Sequence, residues 1–183
     1  MSKTVRTIRG LALSGVAALG LIALTPAFAD SEFVTGGGAI SANADLNFRV
    51  TVPRFIDFQV GAASGVDEVA FTVPAADIGD GNAINAASPI PVRLRSNAGN
   101  ITLAASSATT GLTAAGLDPI LWSEISGTSS EATDLPVPAV GGSVNLSATS
   151  GIINRTADWS FAFENNNLVG AGVYTGTVTY TAS

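Results

Sequence analysis

The chain has 183 residues, 46% apolar and 12% charged, with fourteen acidic residues against eight basic ones and neither histidine nor cysteine. That is enough apolar material for one domain with a sizeable core, and too little charge for a solvated disordered chain. The missing residue types exclude a disulfide, a His or Cys nucleophile or base, and ordinary zinc, copper, haem or iron–sulfur ligation. A net charge of −6 works against a nucleic-acid partner.

Residues 1–29 read as a secretory signal peptide. Lys3, Arg6 and Arg9 form a basic n-region, Leu11–Leu24 an apolar run, and Ala27-Phe28-Ala29 a cleavage site. The run is broken by Ser14-Gly15 and stops at Thr25-Pro26, short of the ~20 residues a membrane span needs. Cleavage would leave residues 30–183, with Arg49, Arg54, Arg93, Arg95 and Arg155 as the only cations and no lysine. Such a chain is repelled by phosphate backbones and anionic lipid. The mature part holds no membrane span, and the expected location is the periplasm on the way to the cell surface or exterior.

Residues 30–38 are a polar leader ending in glycines. The clearest periodic signal follows. Ile40, Ala42, Ala44, Leu46, Phe48, Val50 and Val52 alternate with polar residues over thirteen positions, the pattern of a strand with one buried face. Pro53 interrupts it, having no N–H to donate. Arg54–Val60 predicts a second strand with Ile56, Phe58 and Val60 on one face. Val69, Phe71 and Val73 predict another.

Pro89–Ala105 reads as a hairpin: Ile90, Val92 and Leu94, a turn at Ser96–Gly99, then Ile101, Leu103 and Ala105. Further strands are expected at Ile120–Ile125, at Val144–Ala148, at Trp159–Phe163 and at Val173–Ala182. Helix formers are sparse, and only Ala75–Asn85 and Thr113–Leu117 suit a helical turn. Many short strands separated by turn signals predict an all-β fold, a single antiparallel Ig-like or pilin-like sandwich over residues 30–183.

Little in the chain suggests chemistry. Asp77–Asn82 is acidic and Gly-rich but lacks the spacing of a calcium loop, so it reads as a surface turn. No carboxylate pair is singled out, and serines have no base. The chain therefore reads as non-enzymatic, with no catalytic residue, cofactor or metal site. Arg93 and Arg95 share one strand face and are possible contacts for an acidic or glycan ligand. Trp122 is a possible stacking residue. Trp159, alternating with Phe161 and Phe163, reads as core.

The stretch Gly170-Ala-Gly-Val-Tyr-Thr-Gly-Thr-Val-Thr-Tyr180 resembles the terminal strand of secreted fimbrial subunits. There, a Gly-x-Tyr-x-Gly opening leads into an alternating strand gripped by a periplasmic chaperone. Gly172, Tyr174, Gly176, Val178 and Tyr180 hold the matching places. Ile40–Val52 followed by Pro53 resembles the donor strand of that family, most closely of its cysteine-free alpha-type major subunits; spore-coat-U-like secreted domains are similar at the C-terminus. The resemblance implies a structural fimbrial or pilus subunit that adheres and self-associates, or joins other surface subunits, by strand complementation. Ile40, Leu46, Phe48 and Val50 would be its assembly knobs. If the sandwich is self-complete, the same residues are its first core strand. Val52–Phe58 is also similar to the opening of WxL-type cell-surface domains, which implies a self-contained module for a glycan or cell-wall polymer.

Overall fold

The computed structural model describes residues 32–62 and 65–183; the expected signal peptide lies outside them. The chain divides after Thr51.

Residues 32–51 form no strand. The expected strand at Ile40–Val52 is therefore not present as such. Ile40, Leu46, Phe48 and Val50 are all exposed, the last two at 87% and 85%. Alternation alone does not make a strand: the backbone needs a partner edge, and the apolar face needs a surface to bury against.

From Val52 onward the protein is all-β with antiparallel sheets. Its strands are β1 Ile56–Val60, β2 Ile84–Asn85, β3 Ile90–Ser96, β4 Ile101–Ser106, β5 Gly111–Leu112, β6 Ile120–Leu121, β7 Ile125–Ser129, β8 Ser143–Leu146, β9 Ile153–Phe163 and β10 Thr179–Ala182. One sheet runs β1-β3-β9-β2, with β7 also on β9; a second runs β10-β4-β8; β5 and β6 form a small third pair. Val92, Leu94, Ile153, Ala157 and Trp159 from the first sheet share one buried core with Ile101, Leu103 and Leu146 from the second. The two main sheets thus face each other across that core.

Period two explains most of this. In β3, Val92, Leu94 and Ser96 are buried while Pro91, Arg93 and Arg95 are exposed. In β4, Ile101, Leu103 and Ala105 are buried.

The expected hairpin over Pro89–Ala105 is corrected. β3 pairs with β1 and β9, whereas β4 pairs with β10 and β8. The turn between them crosses from one sheet to the other. Its polar groups are satisfied by outside neighbours rather than across a hairpin. Ser96 Oγ donates to Phe55 O at 2.9 Å, and Asn97 Nδ2 donates to Pro53 O at 2.8 Å. The Gly99 N–H reaches Gly151 O at 3.3 Å, and Gly99 adopts φ +94°, which its missing Cβ permits.

Other boundaries shift. Val69–Val73 forms no strand, although Val69, Phe71 and Val73 are half-buried in alternation. Ala75–Asn85 is a run of turns leading into β2 rather than a helical turn. Ile120–Ile125 is broken by a 3-10 turn at Trp122–Glu124. The terminal ladder covers Thr179–Ala182, with one earlier bridge at Thr175↔Thr113.

The flank between β8 and β9 is crossed by residues 130–142, which carry the chain from β7 to β8. Leu135 is fully buried there. Its carbonyl accepts from Trp159 Nε1 at 3.0 Å and from Ser129 Oγ at 2.8 Å. Arg155 donates to Asp134 O and to Ser147 O, tying the two sides of that flank. Replacing Leu135 by alanine is expected to cost about 2–5 kcal/mol in urea denaturation. Ile152→Ala, at an exposed turn, should stay within about 0.5 kcal/mol of the parent.

Candidate functional site

The opposite flank carries β1 and β10, which lie side by side. Each is an edge strand. On β1, the Asn97 N–H bonds to Phe55 O and the Gly61 N–H to Pro91 O. Antiparallel alternation then directs the backbone groups of Ile56, Phe58 and Val60 away from β3. On β10, Ser183 and Thr102 exchange both backbone bonds, so Tyr180 and Ala182 direct theirs away from β4. Thr175 likewise exchanges both bonds with Thr113, which leaves Tyr174 facing outward.

Four of these residues point their side chains inward. Phe58, Val60, Tyr180 and Ala182 are partly buried against the core. The Tyr180 ring meets Trp159 edge-on, with centroids 5.0 Å apart, a favourable aromatic geometry. Burial pushes the Tyr180 hydroxyl pKa up from its ordinary 10.0. Among the described residues, this flank therefore offers two strand edges with no ladder partner on their outer side, above apolar side chains.

The C-terminal motif has a packing role. A Cβ on Gly172 would sit 2.9 Å from Leu117 Cδ1, and one on Gly176 would sit 3.0 Å from the Trp122 ring and from Leu112. These glycines let the β5–β6 lobe close onto the strand leading into β10. The Tyr174 hydroxyl donates to Gly170 O at 2.9 Å. Trp122 packs over Gly176, and its indole N–H donates to Thr109 O at 2.8 Å. The ring named as a possible stacking residue thus also braces the lobe against the terminal strand, and it is half-exposed there.

Arg93 and Arg95 stand on the outer face of β3, where both lean on Asp57 of β1, at 3.2 and 3.8 Å. All three side chains are substantially exposed, and such pairs contribute little. Beside them a shallow recess of about 380 Å³ is lined by Gln59, Arg93, Glu131, Thr156 and Asp158.

Asp77–Asn82 is organised by Asn165, which the sequence reading passed over. Asn165 is fully buried at φ +52°. Its Nδ2 donates to Asp77 O and Asp80 Oδ1, and its Oδ1 accepts from the Gly79 N–H at 2.9 Å. Asn82 gives both its backbone and side-chain N–H groups to the Asp80 carboxylate. An amide thus fills the centre of the loop. Among the described residues, no group of three or more His, Cys, Asp or Glu is placed to hold a metal ion. No described helix is long and apolar enough to cross a membrane.

Compared with protein-family models, with curated proteins and with solved structures, the chain has no match.

The bonds from Asn82, with a smaller one from Asn165, hold the Asp80 carboxyl below its ordinary pKa of 3.8. A carboxyl depressed in the folded state contributes stability that is present above 3.8 and lost as pH falls through the lower folded value. The Asn165 side-chain amide resonances should accordingly titrate with a midpoint below 3.8. A midpoint at or above that value would contradict the assignment.

Proposed function

We propose that this chain is an exported structural subunit of a pilus-like or surface assembly, in which one copy's leader strand completes the sandwich of the next. The part that assembles is the flank formed by β1 and β10, and its occupant is the alternating segment at residues 40–52 of a neighbour. Ile40, Leu46, Phe48 and Val50 supply the apolar face; Ser41, Asn43, Asp45, Asn47, Arg49 and Thr51 stay in water. The role is mechanical rather than catalytic.

The observation that carries this reading is the difference between the two flanks. One is crossed by residues 130–142, plugged by Leu135 and tied by Arg155. Among the described residues, the other leaves two edges without a ladder partner above half-buried apolar side chains. Open edges pair with added strands, and a peptide with alternating side chains supplies both the ladder and the pocket contacts. The fimbrial resemblance at both ends of the mature chain fits the same reading, with an Ig-like, pilin-like sandwich, a cleaved signal, and a chaperone that shields the open flank before assembly.

The test is electron microscopy of residues 30–183 with and without residues 30–52. Filaments are expected from the longer chain and none from the shorter. A longer chain that stays monomeric across concentration, with a shorter one that simply unfolds, would overturn the assembly reading and leave residues 40–52 as part of the chain's own fold.

A further inference from the structure

We infer that the outer face of the first sheet binds the same face of a second copy of this chain, in a two-fold contact that seats the arginines of one copy on the unpaired carboxylates of the other. The inference does not rest on the strand-completion reading, because it uses neither the leader nor an open strand edge.

The face is laid out by register. Asp57, Arg95 and Asn154 form one row across β1, β3 and β9, and Gln59, Arg93 and Thr156 form the next. Val92, Leu94, Ile153 and Ala157, which alternate with these residues, are buried, so all six point outward. Two residues further along β9, Asp158 is also exposed. It is fixed to the start of the connection from β7 to β8. The Ser130 N–H donates to Asp158 O at 2.9 Å, and the Asp158 N–H to Ser130 Oγ at 3.0 Å. Glu131 comes next and is exposed.

Charge on this face is divided. Asp57 draws both guanidiniums toward β1, Arg93 at 3.2 Å and Arg95 at 3.8 Å. Arg93 and Asp158 are diagonal neighbours, with backbones ~7–8 Å apart, yet no ion pair joins them. Among the described residues, neither Asp158 nor Glu131 has a basic group within ion-pair distance. One end therefore carries two arginines against one aspartate, and the other carries two acids with no cation. The recess of about 380 Å³ lies between the ends and reaches Glu131 and Asp158. Two copies of a chain with net charge −6 repel each other except where such ends meet with opposite sign.

Symmetry supplies that meeting. From Thr156, Arg95 lies one strand away on the β3 side and two residues toward Asn154. Ser130 and Glu131 lie on the β7 side, level with Asp158, two residues the other way. The two ends thus stand on opposite sides of Thr156. A two-fold axis parallel to the sheet, passing over Thr156 and across the line from Arg95 to Glu131, places each copy's arginines above the other's Asp158 and Glu131. The contact is made twice, as a two-fold interface requires. The recess receives the incoming guanidinium, whose planar fork suits a carboxylate.

The experiment uses residues 30–183, which hold no cysteine, so one introduced thiol reports one position. Thr156→Cys is treated with a short bismaleimide, beside Thr181→Cys on the outer face of the other sheet as a control. Dimer should form at least about tenfold faster from the first, and the excess should vanish in ~1 M salt, which screens the charges. In the Thr156→Cys background, one variant inverts the basic end (Asp57→Arg, Arg93→Glu, Arg95→Glu) and another the acidic end (Glu131→Arg, Asp158→Arg). All these side chains are on the surface, so circular dichroism should be unchanged. Each variant alone should lose the excess, by about tenfold. Their equimolar mixture should regain it, because each inverted end then meets its opposite. A Thr156→Cys rate equal to the control, an excess indifferent to salt, or a mixture no faster than the separate variants would each overturn the contact. Filament formation by residues 30–183 is unaffected by any of these results, so the assembly reading is judged apart from them.

Discussion

The fold depends on how one buried indole is satisfied. Trp159 is completely covered, and an unpartnered N–H there would cost about 1–3 kcal/mol. The partner comes from outside both sheets: the carbonyl of Leu135, in the connection from β7 to β8. Meeting that one donor draws the connection inward and seats Leu135 in the core. Ser129 Oγ donates to the same oxygen, so the start of the connection is held as well. On its other side Trp159 meets the ring of Tyr180, which brings in the last strand. One side chain on β9 thus links the sheet it belongs to, the loop that closes one flank, and the strand that borders the open one.

The strands were legible where apolar residues alternate without interruption, as in Val92–Leu94, Ile101–Ala105 and Trp159–Phe163. They were illegible where a polar residue takes an inward place. β9 begins at Ile153, not at Trp159, and its first half is masked in the sequence by Arg155, which stands on the inward side and bonds to Asp134 O and Ser147 O. Alternation sees an arginine there and stops. The sheet assignment of β3 and β4 was equally hidden. A Ser-Asn-Ala-Gly turn serves a hairpin or a crossing between sheets, and the choice rests on distant partners such as Phe55 and Gly151.

The same limit applies to the site. The packing of Trp122 is hidden in the sequence because its neighbour, Gly176, lies far along the chain. Asn165 looks like one of three turn residues because Asp80, which it holds, is 85 positions away. By contrast the two ends of the assembly reading are local patterns. The alternation of residues 40–52 and the Gly-x-Tyr-x-Gly entry to β10 are visible without any tertiary contact. The glycines prove to have a packing reason of their own, the close approach of Leu117 and Trp122, which the motif alone does not disclose.

The two edges of the open flank differ in how they are guarded. Natural edge strands are commonly protected by charge, by proline or by a covering loop. β1 carries Asp57, follows Pro53 and Arg54, and faces Arg93 and Arg95 on its neighbour. The terminal edge has neither charge nor proline, since no charged residue occurs after Glu164 and no proline after Pro138. A protein with a net charge of −6 could place an acid on that edge at little cost, as it does on many turns. Leaving it uncharged, with Thr175, Thr177, Thr179 and Thr181 alternating between inward-facing groups, preserves a flat strand that a further strand can join. The leader is built to the complementary rule: one face apolar, the other polar, and only Asp45 and Arg49 charged between Ile40 and Val52. Among the described residues the leader has no ladder and the terminal edge no cover, and the assembly proposed above joins these two complementary patterns.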